Sequence, residues 1–175
     1  MPTKIIAREP SVDAAALRQT SSRIVDGLLE LQISHAVGVA DNMSRFIYEQ
    51  LLESPTVQVV PVCREGEAWA VASGLWVGGR RPVVIIQNTG FLESGDALRG
   101  TAVDMGVPLL ALIGYRGWRS LSGDSPDTVA TLFEPTLRAW EIPYQFLEPQ
   151  REAEVLRQAQ AQAQTISRPV AVLMR

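Results

Sequence analysis

Three short runs in this chain are wholly apolar: residues 83–86, 109–113 and 170–174. Each is the length of a β-strand, and none alternates with polar residues. That is the pattern of strands buried on both faces, as in a parallel sheet covered by helices. Between and before them lie stretches with helical periodicity. Leu17, Ile24, Leu28 and Leu31 recur at helical spacing behind Ser11, which can cap a first helix. A strand is expected over 35–39, a helix over 42–53 and a valine-rich strand over 56–62. A helix over 64–77 carries Ala68, Ala72, Leu75 and Trp76 on its apolar positions and stops at Gly78 and Gly79. Further helices are expected over 94–105, after Pro126 and over 151–165, with a fifth strand at 144–147. A glycine- and serine-rich loop is expected over 114–125. Six strands alternating with helices imply an α/β domain of three layers around a mostly parallel six-stranded sheet. The expected organisation is an N-terminal arm of residues 1–10 and one domain over 11–175.

Composition narrows the function classes. Of 175 residues, 46% are hydrophobic and 20% charged, enough to build a core and too apolar for general disorder. The net charge of -3 argues against nucleic acid as a partner, since phosphate binding needs a basic surface. With one cysteine and one histidine, neither an internal disulfide nor a zinc cluster can form. The cysteine usage fits a reducing cytoplasm. The first ten residues hold no apolar segment of the signal-peptide kind, and no apolar run is long enough for a bilayer, so no membrane role is expected. His35 is read as a packing or surface residue, and Cys63 as a small buried hydrophobe at a strand end. Trp69 and Trp76, seven residues apart, share one helix face and are read as core or subunit packing.

Ligands on parallel α/β sheets sit outside the carboxyl ends of the strands. Four junctions there are polar or glycine-rich: Ala40-Asp41-Asn42, Arg64-Glu65-Gly66-Glu67, Gln87-Asn88-Thr89-Gly90 and Gly114-Tyr115-Arg116-Gly117. None is a dinucleotide fingerprint, a phosphate loop or a nucleophile elbow. Glu65 has two readings. It can be a first-turn carboxylate favouring the helix dipole, as Glu67 is, worth roughly 0.3–1 kcal/mol. It can instead face a ligand, with Gly66 permitting close approach of the backbone.

Cys63-Arg64-Glu65-Gly66-Glu67-Ala68, then Ala72-Ser73-Gly74, Pro82 and its strand, and Gln87-Asn88-Thr89-Gly90 together resemble the pyrimidine-binding domain of thiamine diphosphate-dependent decarboxylases. The likeness is greatest to the alpha subunit of sulfopyruvate decarboxylases and the matching part of phosphonopyruvate decarboxylases. It runs from about Leu17 to the C-terminus and includes Leu112-Ile113-Gly114 with Arg116-Gly117. The resemblance implies that the Glu65 carboxylate hydrogen-bonds a ring nitrogen of the cofactor's aminopyrimidine. It implies cofactor contacts from Ala40, Asp41, Gln87, Asn88 and Thr89, and substrate contacts from Asn42, Arg116 and Arg119. No metal ligand is assigned to this chain. The Mg²⁺ and diphosphate go to a second, diphosphate-binding subunit in an α2β2 assembly or a multiple of it. The implied substrate is a small 2-oxo acid. A non-catalytic binding domain and a carboligase subunit are the alternatives.

The pattern also departs from those relatives. Ala40 stands where they carry proline, and Leu92, Glu93 and Asp96 replace a glycine and asparagines. Asp124-Ser125-Pro126-Asp127-Thr128 replaces Asp-Glu-Pro-Gln-His, which puts Thr128 where a histidine is expected. The added acids predict a more acidic site.

Overall fold

In the computed structural model residues 14–175 are described. The N-terminal arm and the Ser11 cap lie outside them. Helix α1 (Ala14–Glu30) leads into β1 (His35–Gly38), α2 (Arg45–Glu53), β2 (Gln58–Pro61), α3 (Glu65–Val77) and β3 (Pro82–Gln87). The chain continues as α4 (Asn88–Glu93), α5 (Gly95–Leu98) and a π-helical turn (Arg99–Val103). Then come β4 (Leu110–Gly114), a 3₁₀ turn (Trp118–Ser122), α6 (Thr128–Ala139), β5 (Tyr144–Phe146), α7 (Glu152–Ile166) and β6 (Val170–Met174). The sheet order is β2-β1-β3-β4-β6-β5, and every pair is parallel.

The three apolar runs are the middle of the sheet. β4 and β6 are buried at every residue, and β3 from Pro82 to Ile86. Because side chains alternate along a strand, one run feeds two cores. Val83, Ile85, Leu110, Leu112, Val170 and Val172 face one way, onto Ile24, Leu28, Ile47, Leu51 and Leu156 of α1, α2 and α7. Val84, Ile86, Ala111, Ile113, Ala171 and Leu173 face the other, onto Trp69, Phe91, Leu98 and Phe133 of α3 to α6. The three layers follow from that division.

Several boundaries move from the sequence expectation, each for a local reason. The strand expected over 56–62 shrinks to an edge strand of four residues, and the helix expected from 42 begins at Arg45. The Asp41 side chain takes the N–H groups of Met43 and Ser44 at 2.6 and 2.9 Å, holding residues 41–44 in a turn instead. Gln87-Asn88-Thr89-Gly90 is not a turn: β3 passes directly into α4. The helix expected over 94–105 is broken into α5 and a π-helical turn. The loop at 114–125 contains a 3₁₀ turn, entered through Gly117 at φ +78°. Cys63 is exposed rather than buried. Trp69 is buried in the core while Trp76 is 40% exposed, so the face they share reaches the surface at its far end. Among the described residues no helix is long and apolar enough to cross a membrane.

Candidate active site at the carboxyl ends of the strands

Neighbouring strands β2, β1, β3 and β4 deliver the four polar junctions to one end of the sheet. The start of α3 is the most informative. Helix α3 is capped by Arg64, which offers no side-chain capping bond, so its first N–H groups need other partners. Two carboxylates hold this start, one taking a helix N–H, that of Gly66, and the other the Cys63 N–H just before the cap. Glu67 Oε2 accepts from the Cys63 N–H at 3.0 Å. Glu93, at the end of α4, accepts from the Gly66 N–H at 3.2 Å and from Arg64 Nε at 2.9 Å.

Glu65 does neither. Its half-buried side chain lies across Gly90, where a β-carbon would fall 2.1 Å from Glu65 Cδ and 2.2 Å from Oε1. No hydrogen bond or ion pair engages its carboxylate among the described residues. Three glutamates thus surround one helix start. Two are consumed in holding it, and the third is laid over a glycine that makes the room for it. The helix-dipole reading suits Glu67; the Glu65 carboxylate stands apart from that work, laid on Gly90.

The other residues expected at the site fall into distinct roles. Asp41 gives Oδ1 to its own turn, while Oδ2 is buried without a partner, close to Gly114 at the end of β4. The same carboxylate faces Tyr48. Burial, then the Asp41 charge, pushes the Tyr48 phenol far above its ordinary range. Tyr48 Oη donates to the Ile85 carbonyl at 2.9 Å. Gln87 is half-buried at the end of β3, and its Oε1 accepts from Thr89 Oγ1 at 3.0 Å. Asn88 is fully buried and spends its amide on one neighbour. Nδ2 donates to the Arg116 carbonyl at 3.0 Å, and Oδ1 accepts from the Arg116 N–H at 3.2 Å. Asn88 therefore fixes the backbone after β4. Arg116 itself is exposed, with Nη2 3.6 Å from Asp127 Oδ2. Ala40, Asn42 and Arg119 are exposed, and the side chains of Asn42 and Arg119 bond none of the other candidates.

The substituted positions behave differently from the expectation of an acidic pocket. Glu93 is ion-paired with Arg64, and Asp96 with Arg99 at 2.6 Å. Leu92 packs against the core beneath α3 and α6. Thr128 is the exposed first residue of α6, beside Asp127, whose Oδ1 caps the helix by accepting from the Val129 N–H at 3.1 Å.

Sequence reasoning named Gly90 and Glu93 without their roles and missed Tyr48. Gly90 and Glu93 lay in plain view, but only the fold shows that α4 runs beneath the start of α3. Tyr48 carried no signal beyond an apolar position in α2.

Comparison with known proteins identifies the family. The family profile described as thiamine pyrophosphate enzyme, N-terminal TPP binding domain, matches residues 18–142. The chain is 27% identical to the sulfopyruvate decarboxylase subunit alpha of Methanothermobacter thermautotrophicus, over 77% of this chain and 81% of that protein. It is 24% identical to the same-named subunit of Methanococcus maripaludis, over 88% of this chain and 93% of that one. Phosphonopyruvate decarboxylase of Streptomyces viridochromogenes is 27% identical, over 73% of this chain but only 39% of that longer protein. The matched span takes in all four junctions and the strands that carry them, and the chain belongs to the family of thiamine pyrophosphate enzyme N-terminal, TPP-binding domains.

Proposed function

We propose that this chain is the pyrimidine-binding subunit of a two-subunit thiamine diphosphate-dependent enzyme that decarboxylates a small 2-oxo acid. The observation that carries this reading is the unengaged Glu65 carboxylate lying on Gly90. The residues present fit the cofactor's pyrimidine. A carboxylate with open acceptor oxygens at a half-buried position can accept from a protonated ring nitrogen, a charge-assisted bond worth about 1.5–3 kcal/mol. When bound, thiamine diphosphate supplies the electron sink that a 2-oxo acid needs to lose carbon dioxide. The chain's part is to bind, orient and exchange a proton. Glu65 holds the ring nitrogen, while Gln87, Thr89, Ala40 and Asp41 shape the rim around it. Asn88 contributes by fixing the wall that Arg116 belongs to.

Two features support a second subunit. Three of the relatives are named as alpha subunits, and the longer phosphonopyruvate decarboxylase extends well beyond the matched region. We assign the diphosphate and its Mg²⁺ to the partner, in an α2β2 assembly or a multiple of it, in the cytoplasm. The domain is taken to span 11–175.

The substrate class follows from the relatives' names and from the charges at the site. Among the described residues Arg119 forms no ion pair, and Arg116 holds Asp127 only loosely. In this reading both arginines, with Asn42 of the β1 junction, meet an anionic tail of the sulfonate or phosphonate kind. A proton donor in place of the histidine expected at Thr128 then comes from the partner. The absence of that histidine is the observation that favours a second reading, a carboligase subunit of the same cofactor, which product analysis separates.

Replacing Glu65 by glutamine tests the proposal in the assembled enzyme. Carbon dioxide release from a panel of 2-oxo acids should fall by about 10²–10⁴ with assembly intact, the range for losing a positioned acid–base group. Near wild-type turnover would overturn the assignment.

A further inference from the structure

The start of α3 is held from outside the helix. Its N-cap residue, Arg64, carries donors only and cannot cap. The Gly66 N–H is served instead by Glu93 Oε2 at 3.2 Å, across 27 residues of sequence. The other oxygen of Glu93 accepts from Arg64 Nε at 2.9 Å and pairs with the Nη2 of the same guanidinium. Glu93 therefore grips the residues on either side of Glu65. It is also the last residue of α4, the helix whose Gly90 lies beneath the Glu65 side chain. One short helix supplies both the floor under the carboxylate and the clamp on its backbone.

We propose that Glu93 is a positioning residue for Glu65, fixing where its carboxylate meets the aminopyrimidine ring; this rests on the reading of Glu65 given above. The ion pair with Arg64 contributes little by itself, since the Arg64 side chain is 71% exposed. The bond that matters is the one to the Gly66 N–H, which has no other acceptor among the described residues and sets the orientation of the first turn. A displacement of about 1 Å at that turn is enough to spoil a directional contact. The Glu93 carboxylate is thus spent on structure and adds no bare negative charge to the site.

The test is a double-mutant cycle read by cofactor affinity rather than turnover. The dissociation constant for thiamine diphosphate with Mg²⁺ is measured by calorimetry on the assembled two-subunit enzyme. The variants are Glu93→Ala and Glu93→Gln, each alone and combined with Glu65→Gln. Glu93→Ala should weaken binding roughly tenfold, as for loss of one charge-assisted hydrogen bond. Glu93→Gln keeps an amide oxygen for the Gly66 N–H and should recover most of that. Neither should weaken binding further once Glu65 is glutamine. Equal weakening in both backgrounds would overturn the proposal, because Glu93 would then be supporting the scaffold at large. Unchanged affinity for both single variants would overturn it as well. A wild-type assembly that fails to bind thiamine diphosphate would overturn the reading of Glu65 and this inference together. That result differs from a wild type that binds and a Glu93→Ala that binds equally.

Discussion

At the scale of single residues, the relation between Glu65 and Gly90 says most about function. A β-carbon at residue 90 would overlap the Glu65 carboxyl carbon, and its three nearest neighbours are all Glu65 atoms. Gly90→Ala should therefore act on Glu65 and little else. Alanine is the better helix former by about 1 kcal/mol, so α4 gains while the carboxylate is displaced. The expected outcome is a melting temperature unchanged or slightly raised, with turnover reduced by about 10²-fold. Thermal denaturation and a rate measurement on the same preparation check it. A fall in stability with activity retained would mean the glycine serves packing instead. The role proposed for Glu65 was partly legible in the sequence. Its place after a strand and before a helix pointed to the ligand end of the sheet, but the same position suited a dipole-stabilising carboxylate. Only the structure shows Glu67 and Glu93 taking the helix-holding work and leaving Glu65 free.

At the scale of elements, the strands buried on both faces were the most legible, because unbroken apolar runs have few other uses. The helix starts were the least. The turn at 41–44 is made by the Asp41 side chain competing for backbone donors, which shortens α2. Gln87-Asn88-Thr89-Gly90 has the composition of a turn but forms the β3–α4 passage, since the Asn88 amide is satisfied across 28 residues by the Arg116 backbone. That partner lies outside any local window. On the opposite face, α1 and α7 are joined by Arg23 and Glu152, 2.9 Å apart, with the Glu152 side chain 1% exposed. Burial raises the Glu152 carboxyl, but the Arg23 guanidinium and backbone donors outweigh it, and the net effect holds the group below its ordinary value of 4.5. A carboxyl with a depressed folded-state pKa stabilises above its unfolded pKa, and that contribution is lost as pH falls through the folded value. Glu152→Gln should therefore cost about 2 kcal/mol at pH 7. The difference from wild type should narrow below about pH 4. Denaturant melts at pH 7 and pH 3.5 check this, and a gap that is constant with pH would show that the charge is not involved.

At the scale of the whole molecule, the fold places the four junctions on one end of the sheet and leaves that end open at the surface. Glu65 is only half-buried, Arg119 is exposed, and the Oδ2 of Asp41 is buried without a partner. The second subunit proposed above would cover the first two; the Asp41 Oδ2 is already enclosed by this chain's own atoms. The fold class and the ligand end were readable from periodicity alone, since strands and helices alternate along the whole chain. The cofactor class was legible only through the resemblance carried by the Cys63–Ala68 and Gln87–Gly90 motifs, which the family match bears out. The direct measurement is native mass spectrometry on the protein purified from its own host, with Mg²⁺ kept in the buffers. The account predicts a complex of this chain with a second, different chain, carrying thiamine diphosphate. A homo-oligomer of this chain alone, free of the cofactor, would contradict it.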